Sequence, residues 1–164
     1  MEGVSERILQ LCVRGMEAEG RGDSSHAREL FTSAWNEAQS PTERCVAAHY
    51  VARHQPTSAL TLEWNQRALD FARQVTDGSA NGFLPSLLLN VAHSTELIGD
   101  REGAHRGYKD AAAAAVALAD DGYGRFLRRG IESGLKRTSD PDAPATPRGS
   151  AASSPFRRSG GARP

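Results

Sequence analysis

The chain has 164 residues with 20 basic and 20 acidic side chains, a formal net charge of +0 at pH 7. That balance argues against general electrostatic steering toward nucleic acid or an anionic membrane surface. No apolar run approaches the ~20 residues of a membrane span, and MEGVSERILQ lacks the basic-then-apolar order of a secretory signal, so a cytoplasmic location is expected.

Apolar spacing predicts an all-α domain over residues 1–137, with no convincing period-two segment. A first helix is expected over 4–19, with Ile8, Leu11, Cys12, Gly15 and Met16 on its apolar side. The break 20–23 leads to a second helix, capped by Asp23 or Ser24 and carrying Ala27, Leu30, Phe31, Ala34 and Trp35. Ser40-Pro41-Thr42-Glu43 has the form of a capping box with proline in the first helical position. It opens a third helix that ends at Gln55-Pro56; Thr57 or Ser58 then opens a fourth containing Trp64, Ala68, Leu69 and Phe71. The tryptophan reads as core rather than as a ligand platform.

After a loop holding Gly78, Asn81 and Gly82, Pro85 begins a fifth helix, and Gly99-Asp100 turns the chain into a sixth with Ala104, Tyr108 and Ala111. A seventh, over 122–137, shows the stripe Tyr123, Leu127, Ile131, Leu135 with arginines behind it. That is the pattern of an end cap, with one face for its neighbour and one for water. The last segment, 138–164, holds five prolines, five serines and one large apolar residue, Phe156. It reads as a disordered Pro/Ser/Arg-rich tail.

The helices repeat. Gly15, Gly22, Ala27, Phe31 and Ala34 recur in register as His49, Pro56, Thr61, Asn65 and Ala68, and again as Ala92, Gly99, Ala104, Tyr108 and Ala111. The extra length before the third copy falls in the glycine loop. Small residues in fixed columns allow helix axes to approach to ~8–10 Å, and an aromatic beside them fills the gap. These columns resemble the tetratricopeptide repeat, with copies at about 8–41, 42–75 and 85–118. LLLNVAHSTELIGDREGAHRGYKDAAA is the best match, and His49 and Pro56-Thr57 depart from the pattern. The stretch from ERCVAAHYVARHQPT to LEWNQRAL is similar to small bacterial repeat proteins, a likeness that supplies no activity. Eighteen arginines against two lysines fit a GC-rich bacterial genome.

The resemblance implies an α-α superhelix, a solenoid of three helix pairs plus a C-terminal capping helix. The first helix of each pair would line a concave groove. By register that groove presents Met16, Glu19, Tyr50, Arg53, His54, Asn90, His93 and Glu96. The implied function is a non-enzymatic scaffold that binds a protein or peptide. Arg53 and Asn90 would hold a carboxylate or a backbone amide, and Tyr50 and Met16 would supply contact area. Lysines that flank the matching asparagine in peptide-C-terminus binders are absent, which argues against carboxylate capture. A plainer reading has Arg53 bridging Glu19 and Glu96 as an internal ion-pair ladder.

Other readings are a sensor of a small ligand or signalling peptide, an enzyme built on His93, Glu96 and Arg53, and a structural protein that self-associates through Phe83 and Leu84. His49 and His54 point in different directions on a helix and no Cys or carboxylate completes a tetrahedral set with them and His93, so no metal or other cofactor is expected. Cys12 and Cys45 read as buried thiols. Arg21-Gly22-Asp23 reads as an inter-helix turn, and the basic seventh helix as a soluble cap rather than a phosphate binder.

Overall fold

A computed structural model describes residues 3–139, and among them the chain is all-helical, with seven helices and no strand. They are α1 (Glu6–Gly20), α2 (Ser24–Glu37), α3 (Pro41–Ala52), α4 (Ser58–Arg73), α5 (Leu84–Leu97), α6 (Arg101–Ala115) and α7 (Gly122–Ser139). Each packs on its chain neighbours, most extensively α1 on α2, α3 on α4 and α5 on α6; α3 also touches α1, and α7 also touches α5. None of these helices is long and apolar enough to cross a membrane.

The helix starts follow local chemistry. Asp23 and Asp100 each accept the backbone N–H three residues on, and Thr57 does the same for Leu60. Ahead of the two aspartates, Gly22 (φ 82) and Gly99 (φ 93) turn the chain through the left-handed region. The capping box forms as expected: Ser40 Oγ accepts from the Glu43 N–H while the Glu43 carboxylate takes the Ser40 N–H. Glu43 also accepts the Ser5 and Gln39 amides, so one side chain ties the start of α1 to the α2–α3 turn.

Two glycines set the closest approaches. A Cβ on Gly15 of α1 would overlap the Phe31 ring of α2, and one on Gly134 of α7 would overlap the Tyr108 ring of α6. Gly15 was expected as a contact point and Tyr108 as a filler; Gly134 was not foreseen, because it lies off the leucine-isoleucine stripe. Along that stripe Leu127 and Ile131 are buried, whereas Tyr123 remains in water.

Three expectations are corrected. Helix α3 stops at Ala52, and Arg53 and His54 lie in a turn whose N–H groups reach back to the carbonyls of Tyr50 and Val51. Phe83 and Leu84, expected to be exposed, are half-buried against the cluster that includes Ala80 and Leu87. Helix α7 runs to Ser139, where the tail was expected to have begun, and Thr138 is buried with its hydroxyl donating to the Gly134 carbonyl. The remainder of the 138–164 tail lies outside the described residues.

Candidate binding face

The odd-numbered helices are linked side by side through polar side chains. At the α1–α3 contact Arg53 sits 2.9 Å and His54 2.8 Å from the two oxygens of Glu19. Adjacent residues on a helix point ~100° apart; leaving the helix at Ala52 puts both side chains within reach of one carboxylate. Below them the Tyr50 hydroxyl donates to Met16 Sδ at 3.2 Å. The Tyr50 ring stacks on Phe31 at 5.0 Å, and His54 leans on the same ring at 5.5 Å. Phe31 reaches this far because Gly15 has no side chain to block it. Burial, with a smaller contribution from Cys12, pushes the Tyr50 phenol up to about 12.

At the α3–α5 contact Asn90 Nδ2 lies 3.3 Å from His49 Nδ1. Burial first, then the nearby Arg53 charge, lowers His49 to about 4, so its ring is neutral at pH 7 and one ring nitrogen is an acceptor. Behind this pair Asn65 of α4 is buried, donating to Ser94 Oγ at 2.8 Å and to the Asn90 carbonyl at 3.4 Å. Asn65 occupies the column that holds Phe31 and Tyr108 in the other copies. A buried amide needs partners where a ring needs only volume, so this pair of helices is joined by hydrogen bonds instead of a stacked filler.

At the α5–α7 contact Arg137 grips Glu96 with two parallel bonds of 2.8 and 2.9 Å. Tyr108 donates to the same carboxylate at 2.6 Å and accepts from Arg137 at 3.2 Å. Burial and the bond to Glu96 raise the Tyr108 phenol, and the bond to Glu96 raises Arg137 further. His93 stands at the edge of this cluster, its Nδ1 3.9 Å from Glu96, with its affinity for a proton lowered chiefly by burial.

All eight expected residues therefore lie at contacts between odd-numbered helices or beside them, but in three clusters rather than one strip. The expected bridge from Arg53 to both Glu19 and Glu96 divides into Glu19–Arg53 and Glu96–Arg137. Tyr50 and Asn90 are committed to Met16 and His49. The groups that retain exposure are Arg53 (23 %), His93 (34 %) and Arg137 (40 %). Sequence reasoning missed Arg137, His49 and Asn65 as members of this network. Asn65 had a visible signal, a polar residue in an aromatic column; Arg137 had none, being one more arginine on a basic helix.

Of the remaining α7 cations, Arg128 donates to the carbonyls of Ala115, Leu118 and Ala119 and so closes the end of α6, and Arg125 pairs with Asp120. Both cysteines are free and buried, and burial raises Cys12 to about 12 and Cys45 to about 11, which keeps them protonated and unreactive. Among the described residues no three His, Cys, Asp or Glu side chains gather as a metal site. Elsewhere, a cavity of ≈ 340 Å³ lies between α4 and α6 over Leu88 and Val91, away from the network. No protein-family model, no curated protein and no solved structure matches the chain.

Proposed function

We propose that this chain is a tetratricopeptide-like solenoid of three helix pairs, α1–α2, α3–α4 and α5–α6, with α7 as its cap. We propose further that it binds a protein or peptide, without catalysis, along the face shared by its odd-numbered helices. The observation that carries this reading is the series of polar contacts Glu19–Arg53, His49–Asn90 and Glu96–Arg137, which joins α1, α3, α5 and α7 in order. The pairwise packing of the helices supports the repeat architecture.

Such a face is ordered before any partner arrives, so recognition does not have to immobilise its arginines. Arg53 uses one Nη on Glu19, which leaves guanidinium donors for the carbonyls or carboxylates of an extended segment. His93 adds a half-exposed neutral imidazole that can donate or accept. The absence of catalysis is supported by Glu96: a carboxylate already holding Tyr108 and a bidentate Arg137 has little capacity left to act as a base beside His93. Two free thiols accord with a cytoplasmic location.

The test uses Arg53→Ala combined with His93→Ala in the full chain, compared with wild type in affinity capture from the native host. Partners recovered by the wild type should be lost by the variant at an unchanged circular dichroism spectrum. Equal recovery by both proteins would overturn the assignment of this face.

A further inference from the structure

The row of odd-numbered helices ends at α1 on one side and at α7 on the other, and both end helices leave apolar side chains in water. On α1, Leu9 and Val13 lie with Glu6, Gln10 and Arg14 around a shallow hollow of ≈ 270 Å³, and Val13 is 40 % exposed. On α7, Tyr123 and Phe126 are each 37 % exposed next to the buried Leu127 and Ile131. An end helix of a stacked array is ordinarily finished with polar residues, since no neighbour covers it.

The charges on the two helices are complementary in order. Along α7 the exposed Arg129, Glu132 and Lys136 have no ion partner among the described residues, and along α1 the same holds for Glu6, Arg14 and Glu17. Arg14 and Glu17 on α1 carry, in order, the opposite signs to Glu132 and Lys136 on α7. Neighbours in the row run parallel: α1 meets α3 at Ser5–Glu43 near one end and Glu19–Arg53 near the other, and α5 meets α7 at Leu89–Gly130 and again at Glu96–Arg137. If α1 of another molecule is laid parallel to α7 with Arg14 opposite Glu132, Lys136 falls within one residue of Glu17 and Phe126 within one residue of Leu9, while Arg129 and Glu6 lie five residues apart and do not pair.

We propose that a second copy of this chain docks the outer face of its α1 onto the outer face of α7, so that the row of odd-numbered helices continues from one molecule into the next. Phe126 would fill the hollow between Leu9 and Val13, with the pairs Arg14–Glu132 and Glu17–Lys136 toward the C-terminal ends of the two helices. The two patches are different surfaces, so the contact is heterologous and generates open chains or a closed ring rather than an isolated twofold dimer. It uses neither Arg53 nor His93, and so stands apart from the partner-binding reading.

Sedimentation equilibrium of the full chain, carried up to ~1 mM, should show growth beyond the dimer. Val13→Glu and Phe126→Glu should each be monomeric with an unchanged helical spectrum, because both positions face water. Mixed in equal amounts, the two variants retain one intact α7 and one intact α1 between them, and should form a heterodimer and nothing larger. As a second line, Lys136→Glu should weaken assembly roughly threefold, and adding Glu17→Lys to the same chain should restore it. A wild type that stays monomeric throughout, a mixture that fails to pair, or a charge reversal without rescue would each overturn the proposal.

Discussion

Gly15 shows how much can depend on a hydrogen atom in place of a methyl group. Its bare backbone admits the Phe31 ring between α1 and α2, and that ring then supports Tyr50 and His54 on the candidate face. Gly15→Ala is expected to cost about 1–3 kcal/mol as overpacking, read as a lower urea midpoint, and Phe31→Leu added to it should recover part of the loss by vacating the space. His49 makes a different prediction. Its folded ring stays neutral down to about 4, whereas the unfolded ring takes up a proton near 6.5. Below the unfolded value the unfolded state binds more protons, so stability falls as pH drops from 6.5 to about 4. His49→Gln should flatten that part of the profile in urea titrations taken at steps across the window.

At the scale of elements, one carboxylate and one arginine join pieces that are distant in sequence. Hydrogen bonding from Ser5, then from Gln39 and Ser40, holds Glu43 at about 2, well below its ordinary 4.5. Its contribution is therefore complete above 4.5 and is lost as pH falls through 2. Glu43→Gln should remove about 1.5–3 kcal/mol at neutral pH, the range for hydrogen bonds to a charged group, and should erase this acid limb. Arg137 plays the matching part for α7. Arg137→Met would remove both bonds that Arg137 makes to the 8 %-exposed Glu96. The expected loss is about 1–3 kcal/mol, less than for a fully buried pair because the arginine is partly in water. Hydrogen exchange should then show α7 opening ahead of α3 and α4.

For the whole molecule, the series α1, α3, α5, α7 is the feature on which both functional proposals rest. The double variant Arg53→Ala with His93→Ala addresses the face of that row, and the Val13 and Phe126 variants address its ends. The two experiments are independent, so loss of partner capture with intact self-assembly is an expected outcome, as is the reverse.

The number of helices, their caps and the places where two of them come close were legible in the chain, because each depends on residues within a few positions of one another. Asp23 caps its own helix, the capping box closes within four residues, and the recurrence of Gly15, Phe31 and Ala34 marks local crossings. Even so, the end of α3 was placed two residues late, since a tightened last turn leaves little trace in periodicity. The partners chosen across the fold were not legible. Glu96 was a candidate for Arg53 and belongs to Arg137, which lies 41 positions away in sequence. Met16 and Tyr50 meet as their shared column suggested, whereas Asn90, not His93, is the α5 side chain that meets α3. Periodicity records the direction in which a side chain leaves its own helix, but the offset between two helices follows from how the buried rings and glycines of all of them pack together. That offset, decided only in the tertiary structure, selected which charges met and which remained facing water.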